Sequence, residues 1–462
     1  MSPKVSVIIT AHNYGRFLRQ AIESVLTQTM KDFELIIVND GSTDNTSQML
    51  EKYKNDTRLY VIELDKVGLA MAANIGIKAS KGKYVIRLDA DDYFDESILL
   101  VESTILDQRS ETGMVFPDYY RVSERGSLLD NVRLMKVGEE ATLLDRPPLA
   151  AGAMYRRACY DKIGGYNENL KYQEDYDFWI RFTAKFKVYN VNVPLMYYRQ
   201  HAGSMSHNTE ARMAAKSFVK KRFVEDNGFL DGKKILCVIP VVAESRLNKY
   251  LCLNEVNNKP LMAYIIEEAK KIDMFDTIIL DTEDPKISEV GKEMGIEVPF
   301  CRPIELAHFS THQVDIMCHL LMKLKEKRDY LPDILVLLHY NYPMTKKIHV
   351  EKAIHTMLIH NTDSVLSVSE DLTFHYQPGK YGLKPIVFRQ RYLREEKVRT
   401  YKESGGIIVV RPENIMKGNL LGKKIGHIVM QPHEAIRIDN EHDYWIFEQI
   451  VKQGSLKNIY KK

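Results

Sequence analysis

Four polar segments follow short apolar runs in the first half of the chain: Thr10-Ala11-His12-Asn13, Asn39-Asp40-Gly41-Ser42-Thr43-Asp44, Asp89-Ala90-Asp91-Asp92 and Glu174-Asp175-Tyr176-Asp177. In an open parallel sheet, ligands sit beyond the carboxyl ends of the strands, so these endings are where chemistry is expected. The fourth is read as following a strand end near Tyr172. Asp89, Asp91 and Asp92 crowd negative charge at one strand end, which costs repulsion and desolvation unless a cation, most simply Mg2+ or Mn2+, is held there and bridges a diphosphate. The bland alternative is that Asp91-Asp92 caps a helix beginning at Asp95 or Glu96. Glu174-Asp175 likewise reads as an acidic pair favoured at a helix N-terminus.

Positioning these endings requires alternating strands and helices. Apolar, β-branched runs at 5–9, 35–38, 60–63 and 84–88 alternate with helical patterns at 17–26, after Ser42 and at 68–79. The last of these is rich in small residues, which lets helix and sheet approach closely. A polar, basic stretch containing ARMAAKSFVKKRFVEDNG follows and reads as a linker helix, its run Lys220-Lys221-Arg222 as a solvated face. From Lys234 a second alternation begins with ILCVIP, then a helix at 260–272, strand Thr277–Asp281, a helix after Pro285, strand Ile334–Leu338 and a helix after Lys347. The expected organisation is a first domain at 1–206, a helical linker at 207–232 and a second domain at 233–462.

A chain of 462 residues is too long for one compact core, and 65 Lys+Arg against 62 Asp+Glu leave a net charge of only +3, which gives no bulk attraction to nucleic acid. Five scattered cysteines without metal-ligand spacing are read as thiols in a reducing compartment. With no apolar run long enough to span a bilayer, the expectation is a cytoplasmic protein, with the inner face of the membrane as a peripheral station.

The segments VSVIITAHNYGRFLRQAIESVLTQT, FELIIVNDGSTDNT, GLAMAANIGIKASKGKYVIRLDADD and YQEDYDFWIRF follow, in order, the pattern of family-2 glycosyltransferases with the GT-A fold, and the resemblance covers about residues 4 to 206. It implies that Thr10, Ala11 and Asn13 line a nucleotide-sugar and that Asp40 bonds the base. It also implies that Asp89 and Asp91 form the Asp-x-Asp motif, with Asp91 the direct ligand of Mn2+ or Mg2+ and Asp89 reaching the ribose or the metal. Asp175 matches the catalytic base, with Glu174 beside it, while Arg199 and His201 match positions near the diphosphate or the metal. The chemistry suits these residue types: a sugar nucleotide carries its own leaving group, so a base, a pocket and a cation suffice, and direct displacement inverts the anomeric centre. One departure is Ala73, where the family often has Arg. Trp179 is read as core packing with Phe178 and Phe182.

The second half resembles acylneuraminate cytidylyltransferases, the CMP-sialic acid synthetase group, through KPLMAYIIEEAKKIDMFDTIILDTED, GIEVPFCRPIELA, TDSVLSVSE, ESGGIIVV and AIRIDNEHDYWIFEQI. Where that family cradles a triphosphate, this chain has Val242, Ala243, Glu244, Ser245 and Arg246, and its Gln-Pro-Thr-Ser-Pro becomes His339 to Pro343. Its two Mg2+-holding aspartates match Arg437 and Asp439, so one oxygen ligand becomes a guanidinium that repels a cation. Ser245, Arg246 and Asp439 are the residues left to serve a nucleotide there.

The resemblances imply an α/β protein with two Rossmann-like nucleotide-binding domains, a GT-A glycosyltransferase followed by a nucleotidyltransferase-like domain. The expected function is metal-dependent, inverting sugar transfer from a nucleotide-sugar donor to a hydroxyl acceptor in surface polysaccharide or glycoconjugate assembly. The second domain is expected to serve binding, dimerisation or regulation in a homodimer. Two alternatives stand beside this: a bifunctional enzyme that also activates a sialic-acid-like sugar with CTP, and a noncatalytic assembly scaffold in the second half.

Overall fold

The computed structural model describes residues 2–134, 151–203 and 209–452, except 246, 309, 372, 374, 381 and 387–399. It divides into two compact units, residues 1–219 and 220–462. The expected linker is a helix, Thr209–Asp226, and the division falls inside it. Lys220 departs from the solvated face expected of it: it is fully buried, with its ammonium donating to the Thr356 hydroxyl at 2.9 Å. Lys221 and Arg222 do face solvent, paired with Glu225 and Asp226 one turn on.

The first unit is built on β1 (Val5–Ala11), β2 (Phe33–Asp40), β3 (Leu59–Leu64), β4 (Tyr84–Asp89), β5 (Tyr93–Phe94), β6 (Thr112–Val122), β7 (Leu128–Val132), β8 (Met154–Arg156) and β9 (Lys187–Arg199). Its sheet order is β3-β2-β1-β4-β8-β6-β9-β5, with β7 paired to β6. The strands β3, β2, β1 and β4 are mutually parallel, while β8 runs antiparallel between β4 and β6. Every residue of β1 and β2 is buried, as strands covered on both faces require. The helix Leu69–Ala79 lies so close to the sheet that a Cβ on Gly76 would stand 2.7 Å from the Ile8 side chain and 2.8 Å from that of Val38. Small residues there are a packing requirement.

The order in which strands are added reverses at β1, which has β2 on one side and β4 on the other. At this switch point the strand ends are in register: Thr10 pairs with Val38 and with Asp89, and Ala11 with Asn39. The crevice that holds ligands in such sheets therefore opens between Thr10, Asp40 and Asp89.

The second unit repeats this logic with β10 (Ile235–Pro240), β11 (Thr277–Asp281), β12 (Ile334–Leu338), β13 (Ser364–Asp371), β16 (Thr400–Val410) and β17 (Ile425–Val429) in the order β11-β10-β12-β16-β13-β17. A separate ribbon pairs β14 (Tyr376–Gly379) with β15 (Gly382–Pro385). The parallel strands β10, β11 and β12 fall where the apolar runs place them, whereas β16 enters antiparallel between β12 and β13. The fold class is thus α/β in both units. All five cysteines are free thiols. Among the described residues no helix is long and apolar enough to cross a membrane.

Candidate functional site

Strand β4 delivers the acidic cluster. Arg87 and Asp89 are two residues apart and so leave the strand on one face, and the chain then turns, with the Asp92 amide donating to the Asp89 carbonyl at 3.1 Å. The capping alternative for Asp91-Asp92 is not what the side chains do. The following helix begins at Ile98, and the turn before it is closed by Asp95, which accepts from the Ser97 amide and hydroxyl. Asp92 is buried and accepts instead from the Arg199 amide at 2.8 Å.

Strand β9 supplies the other side. Arg199 is buried, with Nε donating to the Asp91 carbonyl at 2.7 Å and its terminal nitrogens to the Glu124 carbonyl and Gln20 Oε1. It lies beneath the acidic turn and fixes its shape. His201 places Nε2 2.9 Å from Asp91 Oδ2, while its Nδ1 accepts from the Gly203 amide at 3.2 Å. Tyr14 sets its ring edge-on to His201, and burial followed by the charges of Asp91, Asp89 and Asp92 pushes its hydroxyl up to about 12.

Glu174 and Asp175 open the helix Glu174–Thr183, entered through Gln173 with φ at 64°. The preceding residues, including Tyr172, form a loop and not the strand end expected there. Arg87 joins this pair to the cluster on β4: Nε lies 3.4 Å from Asp89 Oδ1 and Nη1 3.7 Å from Glu174 Oε1. Burial opposes the Arg87 charge, but Asp89, Tyr166, Glu174 and Asp175 outweigh it and hold the guanidinium protonated. Asp89 and Asp175, far apart in sequence, thus lie about the same guanidinium, with Asp91 two residues from Asp89. The loop before the helix is pinned by Asn74, whose side chain accepts from the Tyr160 hydroxyl and Tyr166 amide and donates to the Tyr166 carbonyl and Glu168.

Electrostatics in the cleft follow from crowding and burial. Asp91 is pushed up by burial and then by Asp89, with His201 opposing; Asp92 is pushed well up by burial and both neighbours. Glu174 rises to about 7 through burial and Asp175. Asp175 is raised mainly by burial, against the pull of Arg87. As a residue it is nevertheless only half-buried.

The nucleotide side is less open than the residue types suggest. Both Asp40 oxygens already accept backbone amides, from Val67 at 2.5 Å and Gly68 at 2.9 Å, so Asp40 fixes the loop beyond β3. Asn13, at φ 62°, accepts the Thr43 amide at 2.7 Å and ties the first strand end to the second. Ala11 is buried in the core, whereas the Thr10 hydroxyl at the crevice is buried with no hydrogen-bond partner among the described residues. Ala73 is fully buried, and Arg87 is a buried cation on β4. Arg87 was not singled out in the sequence, although a lone arginine inside the apolar run YVIRLD signals a buried, partnered charge.

Donor chemistry bears on a metal. Among the described residues no three His, Cys, Asp or Glu side chains form a cage. Mg2+ and Mn2+ do not require one, because they take remaining ligands from phosphates and water. The donor atoms of Asp91 and His201 are of the type such an ion takes, while Asp89 Oδ1 faces the Arg87 guanidinium at 3.4 Å.

In the second unit, Ser245, His339, Arg437 and Asp439 line a cavity of about 310 Å3. The Ser245 hydroxyl donates to the Asn248 carbonyl at 2.7 Å and so closes its own turn. Arg437 Nε lies 2.8 Å from Asp439 Oδ2. Arg246 lies outside the described residues.

Comparison with known proteins agrees with this division. Glycosyl transferase family 2 matches residues 6–143 and the cytidylyltransferase family matches residues 248–377. The Escherichia coli UDP-Glc:alpha-D-GlcNAc-diphosphoundecaprenol beta-1,3-glucosyltransferase WfaP is 33% identical over 51% of this chain and 90% of its own length. An uncharacterized glycosyltransferase of Rickettsia bellii is 32% identical over 39% of this chain, which spans only 26% of that relative. A solved CMP:2-keto-3-deoxy-manno-octonic acid synthetase bound to CTP is 15% identical, with 48% of this chain and 99% of that one covered at a TM-score of 0.38. The chain belongs to glycosyl transferase family 2 through its first half, and residues 248–377 of its second half match the cytidylyltransferase family.

Proposed function

We propose that the first unit transfers a sugar from a UDP-sugar to a hydroxyl of a saccharide acceptor during surface polysaccharide or glycoconjugate assembly. The observation that carries this reading is the single cleft in which Arg87 links Asp89, beside Asp91, to Glu174 and Asp175. The kinship to WfaP, whose name gives UDP-Glc as donor and a diphosphoundecaprenol-linked sugar as acceptor, supports the choice of donor and of a saccharide acceptor.

Asp175 takes the acceptor proton on a carboxylate oxygen, and its raised proton affinity makes it a stronger base than an ordinary aspartate. Thr10 and Asn13 border the nucleotide, while Arg199 and His201 hold the Asp91 turn in place. Attack from the face opposite the leaving diphosphate inverts the anomeric carbon. Mn2+ or Mg2+ held by Asp91 and His201, with Asp89 in reach, would neutralise the departing diphosphate. The second unit, in this reading, binds or regulates and does not activate sugars. The protein works as a homodimer in the cytoplasm or at the inner face of the membrane.

The test is transfer by the purified chain from a panel of UDP-hexoses to saccharide acceptors, with Mn2+ and with EDTA. Transfer in Mn2+ alone, with the anomer inverted, is expected. A chain that neither binds nor turns over any sugar nucleotide would sink the reading.

A further inference from the structure

Arg87 places a full positive charge inside the first unit. It is 2% exposed on β4, between Ile86 and Leu88, which are wholly buried. An interior charge persists only where partners compensate it, and here they come from two elements at once. Nε lies 3.4 Å from Asp89 Oδ1 at the end of the same strand, and Nη1 lies 3.7 Å from Glu174 Oε1 in the first turn of the helix Glu174–Thr183.

The guanidinium is shared between these carboxylates and spent on neither. Both separations exceed hydrogen-bonding length, and Nε and Nη1 have no hydrogen-bond partner among the described residues. Packing holds the group in place: the ring of Tyr166, in the loop that leads to the helix, lies against it with its centroid 5.2 Å from Cζ. The backbone behind it is fixed as well, because the Arg87 carbonyl accepts the Gly152 amide at 2.9 Å.

Held in this way, Arg87 acts as a spacer. A planar fork can face two acids that stand on different elements, so it sets the distance between the β4 turn and the first turn of the helix. Asp175 follows Glu174 directly and is set with it on one side of the spacer, while Asp91 follows Asp89 on the other. Charge balance alone does not call for this arrangement, since a buried ion pair can often be exchanged for apolar groups of similar volume at little cost. A lysine keeps the charge and loses the fork, because a compact ammonium on a flexible stem has no plane to share.

We propose that Arg87 is a positioning residue for sugar transfer: by facing Asp89 and Glu174 at once, it holds Asp175 at the separation from the Asp91 turn that in-line attack on the donor requires. The inference rests on the reading of Asp175 as the base. Steady-state kinetics of the full chain with the UDP-hexose that the panel above identifies, and calorimetry with UDP in Mn2+, test it. Arg87→Lys is expected to lower kcat about tenfold to a hundredfold, because a small misplacement of reacting groups is costly, while donor KM and UDP affinity stay within about threefold. A role in folding alone would lower the folded fraction and leave kcat per folded molecule unchanged. Unchanged kcat per folded molecule in Arg87→Lys, or UDP affinity that falls as far as kcat, overturns the proposal. Arg87→Gln combined with Glu174→Gln leaves no glutamate buried beside a missing cation, and so keeps the test decisive if the lysine variant does not fold. Because Arg87 acts through Glu174, kcat of this double variant should lie within about threefold of Glu174→Gln alone, and a further loss of about tenfold or more overturns the proposal. Normal transfer by Asp175→Asn would instead remove the reading of the base beneath the inference.

Discussion

At the scale of single residues, the cleft depends on carboxylates whose neighbours make them hold protons more tightly than usual. Asp175→Asn keeps shape but removes the base, so transfer is expected to fall by about two to four orders of magnitude with UDP-sugar affinity unchanged, as read by kinetics and calorimetry. Because burial raises Asp175 and raises Glu174 to about 7, the acid limb of kcat should lie above the ordinary carboxylate range. Removing the neighbouring negative charge with Glu174→Gln favours ionised Asp175 and should move that limb to lower pH; a pH–rate profile in which it moves upward or stays put contradicts the coupling.

At the scale of elements, the proposed base is carried by a helix whose entry loop is tied by the Asn74 side chain and, at its start, by Arg181. Asn74→Ala removes four hydrogen bonds to Tyr160, Tyr166 and Glu168. The expected cost is about 1–3 kcal/mol of stability, with kcat reduced more than donor affinity, measurable by denaturant unfolding and single-turnover kinetics. A second element to test is the helix Lys347–His360, where His355 is buried and its proton affinity is lowered to about 4 by burial, then by Lys220 and Lys221. Its folded value lies below its unfolded one, so the unfolded chain takes up the proton first. The stability it contributes is full above about pH 6.5 and is lost as pH falls to about 4. His355→Gln should flatten the fall in Tm across that window.

At the scale of the whole molecule, the two halves make separable predictions. A chain ended after Lys233 retains the whole helix Thr209–Asp226 and every described group of the cleft, and should keep transfer within a few-fold of the full chain. The ribbon of β14 and β15 leaves Tyr376 and Leu383 exposed, with Ile386 beyond it, an apolar surface of the sort that association covers. If the homodimer forms through the second unit, light scattering will find the full chain dimeric and the truncated chain monomeric.

The alternation of apolar runs was enough to place β1 to β4, β10, β11 and β12: β1, β2, β4, β10 and β12 are largely buried and so mostly apolar, while β3 and β11, less buried at the sheet edge, keep a β-branched run. It also marked the acidic endings of β2 and β4, since the carboxyl ends of parallel strands are set by topology, but not that Glu174-Asp175 follows a loop. The antiparallel insertions β8 and β16 were not legible, because their neighbours are chosen by long-range pairing and not by local pattern. Nor could sequence reveal that Arg87 joins Asp89 to Glu174, that Lys220 is buried at Thr356, or that Arg437 closes on Asp439. Residue type and order were determined by the sequence alone, while the partner of each buried charge was decided by tertiary structure, because a charge leaves water only where the fold brings it compensation from elsewhere in the chain.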